Sequence, residues 1–155
     1  MKKIIHFGIW FLFGIYCLGL IYFLFLDKIV IPPRFTFFEH IAKRTNLLPL
    51  RTILRYYYKV KTNSINYDTV ILKIGGDLVG LIPMGFFIGY LFLKINTLDR
   101  AIICGLAIVL FVELTQLLTM IGSFDVDNFI LMLPGFMLGY IFSKSKIVLK
   151  CKEKL

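Results

Sequence analysis

Glu113 and Gln116 stand three residues apart, Lys73 and Asp77 stand four apart, and Asp125, Asp127 and Asn128 crowd into one short stretch. Residues three or four apart share one face of a helix, so each pair can act on a single point. Paired carboxylates can pass a proton, serve as acid and base, or hold a cation such as Mg²⁺ together with water. Carboxylates, amides and an ammonium set side by side can equally bond a polar lipid headgroup. All seven residues lie within or against long apolar runs, where an ionisable side chain needs a partner, a wet cavity or a changed protonation state. A purely structural arrangement meets the same need. Lys73 would neutralise Asp77, Gln116 would bond Glu113, and the aspartates would cap a helix whose dipole favours them at its N-terminus. Both readings are open at this level.

Other chemistry finds less support. No serine, histidine and acid constellation stands out, His6 and His40 fall outside the runs that carry the acids, and no glycine-rich phosphate loop is present. No catalytic residue is therefore assigned, no cofactor is expected, and the identity of any metal held by the acids is unknown. Cys17, Cys104 and Cys151 are odd in number and scattered, unlike a zinc site or a disulfide framework.

The elements that must position these side chains are membrane helices. Of the 155 residues, 59% are apolar, well above the roughly 45 to 50% of soluble domains. Such an excess has to face lipid, because one small water-facing globule cannot bury it. Four runs reach spanning length, over 4–26, 71–93, 101–121 and 126–143. The first is too long for a signal sequence and reads as an uncleaved anchor. The fourth contains Pro134 and reaches spanning length only by including the polar residues at its start. Gly76 and Gly80, Gly85 and Gly89, and Gly135 and Gly139 are each four apart, a spacing that lets helices pack closely. The whole chain reads as a single all-α domain, an integral membrane bundle of four transmembrane helices.

Between the first two spans lies a loop, 27–70. In it Leu50, Ile53, Leu54 and Tyr57 fall on one helical face and Arg51, Arg55 and Lys59 on the other. That pattern predicts an amphipathic helix in the membrane interface, with cations against phosphates. Pro32, Pro33 and Pro49 are expected to break the rest of the loop into extended pieces. The net charge of +9 belongs to basic residues between and after apolar runs, which membrane topology and anionic headgroups account for without nucleic acid.

An even number of spans puts both termini on one side, and the cations packed directly against span ends there predict a cytoplasmic location for them. Alternation then gathers the polar residues near the opposite surface. With a rise of about 1.5 Å per residue, Asp77 lies about 9 Å from the start of its span, and Gln116 and Glu113 about 8 and 12 Å from the end of theirs.

Asn46-Leu47-Leu48-Pro49-Leu50, Leu81-Ile82-Pro83-Met84-Gly85, Glu113-Leu114-Thr115-Gln116, and Phe124-Asp125-Val126-Asp127-Asn128 followed by Gly135 and Gly139 keep one order along the chain. In that order and spacing, over residues 46–140, the sequence resembles the VanZ-like membrane proteins. It departs from their pattern at Lys73 and Asp77, where the family carries two asparagines, and at Asn128, Met132 and Gly122 or Ser123, where it carries Asp, Asn and Arg. The resemblance implies a multi-pass protein of the bacterial cell membrane, whose namesake is linked to low-level teicoplanin resistance.

Three functions are carried forward. The first is a non-enzymatic envelope protein engaging membrane lipids, a cell-wall precursor or a glycopeptide through Lys73, Asp77, Glu113, Gln116, Asp125, Asp127 and Asn128. The others are a small ion- or proton-coupled transporter subunit and a membrane enzyme acting on a lipid-linked substrate.

Overall fold

A computed structural model describes residues 2–26 and 36–154. Helix α1, Lys2–Ile21, continues through a π-helical turn, Tyr22–Leu26. Helices α2, Phe37–Arg44, and α3, Arg51–Lys61, follow, with the two-residue strand β1, Thr45–Asn46, between them. Next come α4, Tyr67–Gly80, α5, Ile82–Leu91, and α6, Leu98–Leu118. Strand β2, Phe124–Asp125, leads into α7, Val126–Ser143, and α8, Lys146–Lys154. Among the described residues, apart from one parallel bridge, Thr45 to Phe124 and Asn46 to Asp125, the fold is all-α.

Among the described residues four stretches are long and apolar enough to cross a membrane: Lys3–Phe25, Tyr67–Leu91, Leu98–Leu118 and Val126–Ser143. The second combines α4 and α5, which part at Leu81 because Pro83 has no N–H to continue the helical ladder. Their direction alternates. Trp10 stacks edge-on against Phe92, Tyr16 reaches Gly80 and Phe23 lies by Gly76, so span one runs antiparallel to span two. Gly85 meets the backbone at Phe136 and Gly89 meets Ser143, so spans two and four run parallel. Around Phe136, Leu81, Val109 and Met132 a core closes with almost no solvent exposure. Cysteine labelling in a variant without native cysteines should find Phe124→Cys and Ile4→Cys on opposite sides of the membrane. Both on one side would break the alternating arrangement.

The loop between spans one and two differs from its expected form. Pro32 and Pro33 lie outside the described residues, but 37–44 is helical, not extended. Thr36 and Glu39 form a capping box: the Glu39 N–H donates to the Thr36 hydroxyl, and the Thr36 N–H donates to Glu39 at 2.9 Å. Those bonds from Thr36, backbone first, hold the Glu39 carboxyl below its ordinary value.

Helix α3 is amphipathic, as its sequence requires, but it begins at Arg51 rather than Leu50. Leu50 sits just outside it with φ 64°. Ile53 turns inward with Thr52 and Tyr56, whereas Leu50, Leu54, Tyr57 and Tyr58 stay exposed, the face available to an interface.

Candidate functional site

The residues that open α7 are joined to three other elements. Asp125 caps α7 by accepting from the Asp127 N–H at 3.0 Å, and it also accepts from Asn46 Nδ2 at 2.9 Å and from the Thr52 hydroxyl. Asp127 is fully buried, and its carboxylate accepts from the backbone N–H groups of Leu50, Thr52 and Ile53. Those are the otherwise orphaned donors at the start of α3, so an acid from span four caps a helix some 75 residues away. Glu113, 1% exposed, accepts from the Asp125 N–H at 2.8 Å on one oxygen and from Asn128 Nδ2 at 2.7 Å on the other.

The remaining expected residues sit on the other side of this knot. Lys73 and Asp77 form an ion pair within α4 at 2.9 Å. Gln116 donates its amide to the Leu24 carbonyl at 3.0 Å, in the π-turn that ends span one. Span two starts at Tyr67 rather than 71, which sets Asp77 about 15 Å along it, deeper than expected. Span three ends at Leu118, so Gln116 and Glu113 lie only about 3 and 8 Å from its end.

Lys73, Asp77, Gln116, Asp125, Asp127 and Asn128 all line one cavity of about 480 Å³, completed by Arg44, Arg55, Thr52, Tyr56 and Ser123. Glu113 lies behind its wall. An adjoining recess of about 260 Å³ shares Arg44, Arg55, Thr52, Ser123 and Asp125 with it, and adds Lys43 and Arg51. Lys59, on the same helix as Arg51 and Arg55, lines neither. Charge is thus layered: the acids form a floor bonded into the fold, and arginines form an exposed rim. The guanidinium groups of Arg44, Arg51 and Arg55 have no hydrogen-bonded or ionic partner among the described residues.

The four sequence elements singled out above meet here and along the helix contact beneath. Asn46 and Leu50 bond the two aspartates, Glu113 bonds the turn, and Gly85 and Gly139 seat α5 against α7. A family model described as VanZ/LLP1 matches residues 13–149. The chain belongs to the VanZ/LLP1 family. No curated protein and no solved structure matches it.

Sequence reasoning placed His40 outside the cluster and gave Arg44 and Thr52 no role. In the VanZ/LLP1 fold His40 is 1% exposed and donates from Nε2 to the Gly122 carbonyl at 3.1 Å, while its Nδ1 has no partner among the described residues. One local signal pointed to this arrangement. Thr36-x-x-Glu39 is a helix-start pattern, and the helix it starts carries His40 and Arg44 to the acidic turn of this VanZ/LLP1 protein.

Proposed function

We propose that this VanZ/LLP1 protein is a non-enzymatic membrane protein that binds the phosphate-bearing headgroup of a lipid in the cavity opposite its termini. The observation that carries the reading is the rim: Arg44, Arg51 and Arg55 stand together beside the polar cavity, their guanidinium groups without a hydrogen-bonded or ionic partner among the described residues. A guanidinium presents donors in a fork that matches phosphate geometry. The alternatives draw less support from the acids. Asp127, Asp125 and Glu113 accept hydrogen bonds that hold α3, β1 and α7 together, and Asp77 is paired with Lys73, which accounts for these acids structurally.

In this reading the protein sits in a bacterial cell membrane with cytoplasmic termini, and the rim faces the outer leaflet. A lipid-linked cell-wall precursor offers the same phosphate chemistry as an anionic phospholipid. Binding the precursor would connect the protein to teicoplanin-type glycopeptide susceptibility.

The purified protein in phosphatidylcholine nanodiscs should bind added phosphatidylglycerol, or the wall precursor, at least tenfold more weakly once Arg44→Ala and Arg55→Ala are combined. Tenfold corresponds to about 1.4 kcal/mol, close to the lower end of what one hydrogen bond to a charged group contributes, about 1.5 to 3 kcal/mol. Added salt should weaken wild-type binding. Comparing the two ligands on the wild type identifies the source of the phosphate. Equal affinity of wild type and variant for both would sink the proposal.

A further inference from the structure

The contact between spans one and two is built from two different materials. On the terminal half, aromatic rings fill the space: Trp10 against Phe92 at 5.5 Å, Phe13 against Phe87 at 5.3 Å and Tyr16 against Phe87 at 5.9 Å. On the other half Gly19, Gly76 and Gly80 replace them. A side-chain carbon built on Gly19 or Gly80 would meet nothing within 4 Å, and one on Gly76 would meet only the Phe23 ring at 3.8 Å. Glycines four apart were expected to bring helices together, yet at Gly76 and Gly80 they leave a gap.

That gap is an apolar groove of about 420 Å³, floored by Leu81 and Met132. Among the described residues its one charged lining residue is Asp77, which also lines the polar cavity, so the Asp77 side of the Lys73–Asp77 pair stands between the two spaces. Groove and cavity together are amphipathic in the sense that a lipid is: a hydrocarbon slot within the span, a polar chamber above it and an arginine rim at the surface.

We infer that the groove between spans one and two holds an acyl chain of the anionic phospholipid whose phosphate lies at Arg44 and Arg55. This deepens the headgroup reading and rests on it. The groove lies between membrane-spanning helices, where a phospholipid acyl chain is the available hydrocarbon, and the rim above it complements an anionic phosphate. The Lys73–Asp77 pair then faces the polar linkage between headgroup and chain.

The test uses the full chain in phosphatidylcholine nanodiscs, doped with phosphatidylglycerol or phosphatidylcholine that carries a photoreactive group on one acyl chain. Labelled residues are mapped by mass spectrometry, and binding of water-soluble glycerol phosphate is measured in parallel. The phosphatidylglycerol probe should label the segments around Phe23 and Gly76 at least tenfold above the phosphatidylcholine probe. Combined Gly19→Leu and Gly80→Leu should abolish that labelling and leave glycerol phosphate binding intact. Equal labelling by the two probes, with arginine-dependent glycerol phosphate binding retained, would overturn the groove assignment alone. Glycerol phosphate binding and labelling that both ignore Arg44→Ala with Arg55→Ala would overturn the headgroup reading, and this inference with it. The labelling map of the wild type decides the matter even if the leucine variant does not fold.

Discussion

Asp127→Ala is expected to free α3 from the bundle and lower stability by about 3 kcal/mol or more. The substitution removes one buried carboxylate that accepts from three backbone N–H groups, those of Leu50, Thr52 and Ile53. Each buried donor left without a partner costs about 1 to 3 kcal/mol. Water entering from the adjoining cavity recovers part of that cost, because Thr52 and Ile53 line it. Leu50 adds to the loss: its left-handed backbone, unfavourable for a residue with a side chain, is held by the same carboxylate. The measurement is thermal unfolding in detergent together with limited proteolysis. Cleavage within Arg51–Lys61 should accelerate before the spans unfold. Asp127→Asn keeps the shape and one acceptor oxygen, so it should fall between wild type and alanine. Wild-type melting and wild-type cleavage in Asp127→Ala would refute the trans-capping role.

Gly139→Ala should force spans two and four apart, at a cost of about 1 to 3 kcal/mol, the usual penalty for overpacking. The added carbon would collide with the Ile82 carbonyl and crowd the Phe86 N. Backbone cannot rotate out of the way as a side chain can, so the helices themselves must shift. Gly85 and Gly135 face the carbonyls of Phe136 and Leu78 in the same manner. Gly75→Ala is the internal contrast. Its added carbon meets nothing within 4 Å, so the higher helix propensity of alanine should stabilise α4 by up to about 1 kcal/mol. Unfolding midpoints of the two variants should therefore move in opposite directions. A shift of the same sign in both would show that glycine position is not what sets the α5–α7 distance.

The glycine pairs show where pattern reading stops. Spacing of four identifies a shared helix face at Gly76 and Gly80 as well as at Gly135 and Gly139, but it carries no information on what stands opposite. In the second pair that neighbour is the backbone of span two; in the first it is an open groove. The acids behave similarly. Their gathering near one surface follows from alternating spans, whereas their division of labour depends on which donors the loop brings. Asp127 receives the start of α3, Asp125 receives Asn46 and Thr52, and Glu113 receives the turn that leads into α7. Helix α2 was legible in Thr36 and Glu39, but the nearby prolines argued for extended chain and the local capping signal is the one that the fold obeys.

The sequence by itself determined that the chain spans a membrane four times, because runs of about 20 apolar residues have no other solvent large enough to accept them. It also determined the family and the set of polar residues that meet near one end of the bundle. Only the tertiary structure decided what those residues do there. Helix periodicity fixes the face on which a side chain lies, but a hydrogen bond needs a partner at about 3 Å, and here the partners come from a loop some 75 residues away. The same contacts decided that the acids would be bonded inward and the arginines left exposed, so that opposite charges distant along the chain became layered in space.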